Sequence, residues 1–180
     1  MPNGKLCFPL VPSAEGNLQG RNMITIVTGD INSRKTTRLL SHYRETKRGD
    51  GFVSVKILSG NRVQGYQAMR LSTQETKDLM LHEAFYVGQF EKRGNIGPFV
   101  INGPTMDWIE TNIIQMIEAK TEPIYLDEIG QLELNGLGFD AVLKKMIESK
   151  LNLVLVVRTD FLDQVIKTYH LEKAKIITAF

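Results

Sequence analysis

One eight-residue segment, residues 29–36, constrains the fold of this chain more than any other part. It reads Gly-Asp-Ile-Asn-Ser-Arg-Lys-Thr and matches the pattern G-x-x-x-x-G-K-[S/T] at every fixed position except the second glycine, where Arg34 stands. An apolar, β-branched run precedes it at residues 24–28, and helix-compatible residues follow from Lys35 to about residue 47. A strand, a tight loop and a helix in this order are the context in which the pattern binds phosphate.

The residue types in this segment, the phosphate loop, suit a polyphosphate bound together with Mg²⁺. Backbone N–H groups at the start of the helix would surround a phosphate group. The Lys35 ammonium would reach the β- and γ-phosphates and take part in catalysis. The Thr36 hydroxyl would be a ligand of Mg²⁺, which prefers hard oxygen donors. We therefore predict that nucleotide is bound by Gly29, Asp30, Ile31, Asn32, Ser33, Arg34, Lys35, Thr36 and Thr37. A surface loop that caps a helix is the alternative.

Arg34 is the one departure from the pattern. Glycine at this position lets the backbone turn closely around a phosphate without a Cβ atom in the way. If the position requires a left-handed conformation, a non-glycine residue costs roughly 1–2 kcal/mol, which folding tolerates. We expect the side chain to obstruct the phosphate site, since no other residue of the loop compensates for the missing glycine. An outward position, or a guanidinium contact with a phosphate oxygen, is the alternative.

Two adjacent acids form a second constellation. Residues 124–126 are an apolar run, and Asp127 and Glu128 follow it directly. The carboxyl ends of parallel strands are where such sheets bind ligands. We predict that Asp127 binds Mg²⁺, directly or through water, and that Glu128 is the general base that polarises an attacking water. Without a phosphate loop upstream, the same pair would be read as a solvated turn.

Two more charged residues lie close to predicted strands. Arg158 follows the apolar run at residues 153–157 and is placed to stabilise charge on a γ-phosphate. A surface arginine near Asp160 or Asp163 is the favoured interpretation. Glu133 either approaches the metal or braces the loop that follows the acidic pair.

Apolar strands alternate with amphipathic helices along the chain. The predicted strands cover residues 24–28, 52–58, 63–71, 99–101, 124–126, 153–157 and 174–178, and the predicted helices cover residues 35–47, 106–119, about 139–147 and 161–169. Residues 79–87 suit either a strand or a short helix, Gly94 and Gly97 mark a loop, and Thr105 and Asp160 are predicted helix caps. The pattern indicates a three-layer α/β sandwich with a mostly parallel sheet, extended by an antiparallel hairpin at residues 52–71.

The acidic pair also belongs to a longer block. Residues 127–130 read Asp-Glu-Ile-Gly, and Glu133 and Leu134 follow two residues later. This block resembles the D-E-I-G-x-x-E-L signature of the THEP-type small nucleoside triphosphatases, and the order of parts from about residue 23 onward is similar to that family. The resemblance implies a RecA-like P-loop fold, Mg²⁺ dependence and slow, broad hydrolysis of nucleoside triphosphates. The family carries glycine where this chain has Arg34.

Length and composition indicate one soluble domain. The chain has 180 residues, 42% of them apolar, and its net charge of +2 gives no indication of nucleic acid as a partner. No apolar run approaches the roughly 20 residues needed to cross a bilayer, so no membrane partner is expected. The single cysteine, Cys7, rules out an internal disulfide and fits a cytoplasmic location. We expect an N-terminal arm at residues 1–22, extended at residues 6–11, and a nucleotide-binding domain at residues 23–180.

Three functions remain open on the sequence. The first is a Mg²⁺-dependent nucleoside triphosphatase that hydrolyses the β–γ bond of ATP- or GTP-type nucleotides with broad base specificity. The second is a regulatory module that binds nucleotide without catalysis because Arg34 has weakened the site. The third is a small nucleotide or nucleoside kinase. The sequence has no arginine-rich lid segment, and Glu128 favours water as the acceptor. The sequence identifies no protein partner.

Overall fold

The computed structural model describes residues 22–30 and 33–178. The predicted N-terminal arm, apart from Asn22, therefore lies outside the described residues, as do Ile31 and Asn32 of the phosphate loop. The strands are β1 Ile24–Gly29, β2 Asp50–Ser59, β3 Arg62–Arg70, β4 Thr76–His82, β5 Lys92–Ile96, β6 Phe99–Asn102, β7 Ile124–Ile129, β8 Leu153–Arg158 and β9 Lys175–Thr178. The helices are α1 Lys35–Thr46, α2 Gly103–Glu118, α3 Gln131–Leu134, α4 Asp140–Glu148 and α5 Leu162–Tyr169.

All nine of these strands form one sheet in the order β5-β6-β4-β3-β2-β7-β8-β1-β9. The pairs along β2-β7-β8-β1-β9 are parallel. The pairs along β2-β3-β4-β6-β5 are antiparallel. The predicted α/β fold with a parallel centre is thus confirmed. The antiparallel extension is larger than the predicted hairpin, because it contains the four strands β3 to β6.

One strand of the extension, β5, lies where the sequence suggested a loop, whereas β6 matches the strand predicted at residues 99–101. Gly94 lies inside β5, so the loop prediction for this residue is wrong. Gly97 does turn the chain between β5 and β6, with a φ of 52° that glycine adopts without strain. The ambiguous residues 79–87 divide between β4, a 3₁₀ turn at Glu83–Phe85 and irregular chain.

Two predicted helix caps are also corrected. The Asn102 side chain, not that of Thr105, caps α2: its Oδ1 accepts from the Thr105 N–H at 3.2 Å. Pro104 lies in the first turn of this helix, where its missing N–H costs nothing. Asp160 does not cap α5, because its carboxylate pairs with Arg158 in a 3₁₀ turn that precedes the helix.

The sheet is covered on both faces, as predicted. On one face α1 buries Leu39 against a cluster that includes Tyr125 of β7. On the other face α2, α4 and α5 bury Ile113, Leu143 and Val165 in a larger cluster. Within the described residues no helix is long and apolar enough to span a membrane.

The parallel topology brings three loops to one edge. The carboxyl ends of β1 and β8 are neighbours, with Gly29 paired to Arg158. The end of β7 lies beside them, with Ile129 paired to Val157. The phosphate loop, the acidic pair and Arg158 therefore lie together at the carboxyl edge of the sheet, where parallel sheets bind ligands.

Candidate active site

Lys35 begins α1 and reaches back across the phosphate loop. Its Nζ donates to the carbonyl oxygens of Gly29 at 2.8 Å and Asp30 at 2.6 Å. A third contact, with the Ser33 hydroxyl, is long at 3.4 Å. An ammonium group has three donors. Two of them hold the side chain over the loop, and the weakly bound third can turn toward an anion in the loop.

Arg34 has the backbone conformation that glycine supplies in the motif. Its φ of 60° and ψ of 27° lie in the left-handed region. The position therefore requires the left-handed conformation that the sequence analysis considered for it. Its side chain is exposed and makes no capping hydrogen bond to the helix. At this position the chain therefore keeps the conformation that glycine supplies and accepts the cost of a Cβ atom at a left-handed position.

Asp127 joins the two motifs. Its Oδ2 accepts from the Thr36 hydroxyl at 2.7 Å and from the Ser54 N–H at 3.1 Å. Its Oδ1 accepts from the N–H of Glu128 at 2.9 Å. The residue is buried, with 3% of its surface exposed. One carboxylate thus fixes the first turn of α1, the middle of β2 and the end of β7 relative to one another.

The hydrogen-bonded pairing between β7 and β8 is irregular at the two acids. The register between β7 and β8 shifts between Leu126 and Ile129, and Glu128 has a left-handed φ of 64°. Such irregularities redirect side chains and occur next to active sites. As a result Asp127 is buried beside Thr36, whereas Glu128 is exposed and lines the open cleft.

Burial dominates the electrostatics of Asp127. Loss of hydration, followed by the nearby Glu128 charge, raises the pKa of Asp127 to about 7, against the lowering effect of its three hydrogen bonds. Burial therefore makes the ionised form of this carboxylate costly. A cation bound beside it would relieve that cost.

A cleft of about 500 Å³ lies at this edge, lined by Lys35, Thr36 and Glu128 among others, with the buried Asp127 behind Thr36. Its walls come from the phosphate loop and the first turns of α1, from β2 and β3, and from the ends of β7 and β8. The lining residues are Ser33, Arg34, Lys35, Thr36, Thr37, Leu40, Ser54, Val55, Lys56, Tyr66, Glu128 and Arg158. We call it the nucleotide cleft below.

Arg158 forms the surface pair expected from the sequence. Its guanidinium forms an ion pair with Asp160 and lies over the ring of Phe161, 5.2 Å from the ring centroid. The side chain is 35% exposed and also lines the nucleotide cleft. The ion pair and a role at the cleft are therefore compatible.

Glu133 braces the loop after the acidic pair. Its carboxylate accepts from the N–H groups of Gly130 at 2.9 Å and Phe139 at 3.0 Å, and it is buried. Gly138 has a left-handed φ of 58°, and a Cβ atom there would collide with this carboxylate. Of the two roles considered for Glu133, the structure shows the bracing one.

The comparisons with known proteins decide the family. A family model described as NTPase matches residues 24–179 of the chain. The chain belongs to this NTPase family. The resemblance that the D-E-I-G-x-x-E-L block predicted is thereby confirmed, and the chain is assigned as a nucleoside triphosphatase. A search of curated proteins found no match.

Solved structures support the NTPase fold. One similar structure is THEP1 from the hyperthermophile Aquifex aeolicus, with a TM-score of 0.64 and 22% identity over 87% of this chain and 90% of that chain. Another is a human cancer-related nucleoside triphosphatase, with a TM-score of 0.62 and 15% identity over 88% of each chain. At these identities the likeness shows the common fold.

In this NTPase, the residues at the carboxyl edge of the sheet have the oxygen donors that suit a magnesium ion. No cluster of three or more histidine, cysteine or acidic side chains suited to a metal occurs in the part of the chain that the structure describes. Mg²⁺ does not need such a cluster, since it usually takes one or two carboxylates and completes its shell with substrate phosphates and water. The Thr36 hydroxyl and the Asp127 carboxylate are such oxygen donors, side by side at the phosphate loop.

The structure brings most of the predicted site residues together and adds others. Lys35, Thr36 and Glu128 line one cleft, and Asp127 lies beneath Thr36. Sequence reasoning missed Ser54, whose N–H binds Asp127, and Tyr66, which lines the cleft from β3. No local motif marks either residue, because their positions depend on pairing between β2, β3 and β7.

Proposed function

We propose that this protein is a Mg²⁺-dependent nucleoside triphosphatase that hydrolyses the β–γ bond with broad base specificity. The observation that carries the proposal is the hydrogen bond between the Thr36 hydroxyl and the buried Asp127 carboxylate. It unites the phosphate loop with the acidic strand end, which is the arrangement a nucleotide with its metal requires. The cytoplasmic location and the arm at residues 1–22 remain predictions.

Each residue in the cleft has a separate role in this proposal. Lys35 binds the β- and γ-phosphates with the donor that its backbone contacts leave free. Thr36 and Asp127 would hold Mg²⁺, which would neutralise phosphate charge when bound. Glu128 accepts the proton of a water whose oxygen bonds to the γ-phosphorus, while the bond from that phosphorus to the bridging oxygen breaks. The products are nucleoside diphosphate and orthophosphate.

The lining of the cleft supports broad base specificity. Beyond the phosphate-binding groups, Leu40 and Val55 contribute apolar surface. Apolar side chains contact the face of any base, whereas discrimination needs hydrogen bonds to a base edge. We therefore propose that ATP and GTP are used at comparable rates.

Arg34 contributes to binding in this account. Its exposed side chain lines the nucleotide cleft and makes no capping hydrogen bond to α1, whereas the Lys35 ammonium is bound to the loop backbone. This supports the alternative in which the guanidinium meets a phosphate oxygen, a pairing that is strong because both groups are charged.

Thermal unfolding tests the proposal. ATP or GTP at millimolar concentration with Mg²⁺ should raise the melting temperature, because a ligand that binds the native state stabilises it by mass action. Lys35→Ala should abolish the rise, and Lys92→Ala, a control on the exposed edge strand β5, should keep it. The absence of a shift with either nucleotide in the unmodified protein would refute the proposal. A shift without phosphate release would indicate the regulatory module instead.

A further inference from the structure

A second cavity adjoins the nucleotide cleft. It has a volume of about 430 Å³ and lies between the antiparallel extension and the start of α2 on one side and the α3 region on the other. Four residues line both spaces: Ser54, Tyr66, Glu128 and Arg158. The proposed general base therefore stands at the boundary between the two spaces.

The lining of the second cavity is mainly apolar and aromatic. The antiparallel extension contributes Met80, Ile96 and Phe99, and the opposite side contributes Phe139 and Phe161. Water in such surroundings finds few hydrogen-bond partners. Hydrolysis needs only a water at Glu128, so it leaves a cavity of this size and character without a use.

We propose that this cavity binds a phosphoryl acceptor, an alcohol with a flat aromatic body. The inference rests on the proposed function, since it requires a nucleotide in the adjoining cleft. The volume of the second cavity lies within the range of about 300–1,000 Å³ typical of small-molecule sites. Aromatic walls favour a flat ring: Tyr66 and Phe99 meet edge to face at 5.5 Å, and Phe161 carries the Arg158 guanidinium. A ring held there presents its hydroxyl at the Glu128 boundary.

The chemistry is that of the proposed hydrolysis with an alcohol in place of water. The acceptor oxygen bonds to the γ-phosphorus, and the bond between that phosphorus and the bridging oxygen breaks. Glu128 accepts the hydroxyl proton. The products are a phosphate monoester and the nucleoside diphosphate, so no oxidant, reductant or further reactant is needed. An acceptor that fills the cavity also displaces the water that would otherwise react.

Transfer of labelled phosphate tests the proposal. The full chain is incubated with Mg²⁺ and ATP labelled at the γ-phosphate, with thymidine in one arm and 2-phenylethanol in the other. The proposal expects a labelled monoester in at least one arm and a matching fall in orthophosphate. Ester from thymidine alone would identify nucleosides as the class, and ester from 2-phenylethanol would extend it to simple aryl alcohols. Orthophosphate release with no ester in either arm would overturn the proposal and leave the proposed function intact.

A matched pair of variants tests the location. Ile96 lines the cavity from β5, and Asn95 is its exposed neighbour on the other face of that strand. Ile96→Trp should fill the cavity and lower ester formation by at least roughly 10–200-fold, the discrimination that a single methylene gives in an apolar pocket, with hydrolysis unchanged. Asn95→Trp should change neither rate. Equal ester formation by both variants would place the acceptor elsewhere and overturn the proposal.

A binding measurement needs no variant and no turnover. The methionine methyl groups are labelled with ¹³C, and each alcohol is titrated into protein saturated with a slowly hydrolysed ATP analogue. Met80 and Met106 line the cavity, whereas Met116 and Met146 lie elsewhere in the core. The proposal expects shifts at the first pair alone. If no methyl shifts, or if these methyls shift while no ester forms, the acceptor assignment is overturned. Failure of the proposed function would appear separately, as no orthophosphate release without alcohol.

Discussion

The loops at the carboxyl edge of the parallel strands and the antiparallel extension β3 to β6 are built in opposite ways. At the edge, the charged groups Lys35, Asp127 and Glu133 are buried and held by hydrogen bonds to the backbone, and Asp127 also accepts a hydrogen bond from the Thr36 hydroxyl. The extension instead presents apolar and aromatic side chains to the same region, with Tyr66 at the boundary. The edge loops hold polar groups in fixed positions, and the antiparallel extension forms apolar walls around them.

This difference assigns separate tasks to the two regions. A buried charge is costly unless its partners satisfy it, so the groups at the edge keep one arrangement and are suited to chemistry. We expect the apolar walls of the extension to select which molecules approach the proposed catalytic groups. Substitutions at the edge should therefore change the reaction itself, and substitutions in the extension should change access.

The largest expected effect comes from Glu128, the proposed general base. Glu128→Gln should lower kcat by about 10²–10⁴, the contribution of a positioned base, and leave nucleotide affinity almost unchanged. Tyr66→Phe is the control from the extension. Burial, followed by the Glu128 charge, raises the pKa of Tyr66, so its hydroxyl stays neutral at neutral pH and should not act as a base.

Steady-state phosphate release and nucleotide titration measure the two variants. If Glu128→Gln weakens binding while turnover survives, Glu128 is not the base. If Tyr66→Phe reduces kcat as strongly as Glu128→Gln, the division of tasks between edge and extension fails.

A smaller effect is expected at Arg34. Arg34→Ala removes the guanidinium and keeps a Cβ atom at the left-handed position. It should weaken binding of a slowly hydrolysed ATP analogue by roughly 10–150-fold, the value of a charge-assisted hydrogen bond of about 1.5–3 kcal/mol. Arg34→Gly should lose the same affinity, while its backbone gains the freedom that the position requires.

Calorimetric titration of the three proteins separates the two accounts of Arg34. Weaker binding by both variants supports the phosphate contact. Tighter binding by Arg34→Gly than by the unmodified protein would instead support obstruction of the loop by the side chain, the interpretation that the sequence alone favours.

The smallest effect concerns stability and pH in the metal-free protein. The pKa of Asp127 is raised to about 7 in the folded chain, from the value of 3.8 that an exposed aspartate has in an unfolded chain. Between these values the native state binds more protons than the unfolded state, so the free energy of unfolding falls as pH rises from about 4 to about 7. Asp127→Asn should remove this contribution.

Melting temperatures in the presence of a chelator test this prediction. The difference between Asp127→Asn and the unmodified protein should grow in favour of the variant between those pH values and then level off. The substitution also alters the hydrogen bond from the Ser54 N–H, which shifts the melting temperature by the same amount at every pH. The test is unaffected, because it compares how the difference in melting temperature changes with pH. Parallel melting curves across the whole range would contradict the assignment of a raised pKa to Asp127.

The sequence predicts the edge loops well because their signals are local. The buried parallel strands are continuous apolar runs, and the phosphate loop and the acidic pair are short motifs that follow them. The Thr36–Asp127 contact then follows from the topology, since the two motifs lie at the carboxyl ends of nearby parallel strands. The motif normally has glycine at the position of Arg34, and this glycine already indicates a left-handed conformation there.

The extension is harder to predict because its signals are not local. The edge strand β5 reads Lys-Arg-Gly-Asn-Ile, a polar sequence that becomes a strand through pairing with β6. Polar and charged residues are common on edge strands, where they oppose aggregation. Ser54 and Tyr66 enter the site through the register of β2 and β3. No spacing in the sequence reveals that register.

Turnover as a function of Mg²⁺ concentration tests the central claim most directly. Phosphate release from ATP by the unmodified protein should be absent with a chelator and should rise to saturation as Mg²⁺ is added, because Thr36 and Asp127 are the residues that would hold the ion in the proposed function. The Asp127→Ala variant should need far more Mg²⁺ to reach half of its maximum rate. Phosphate release that is independent of Mg²⁺, or that is equal in the two proteins at every Mg²⁺ concentration, would contradict the account.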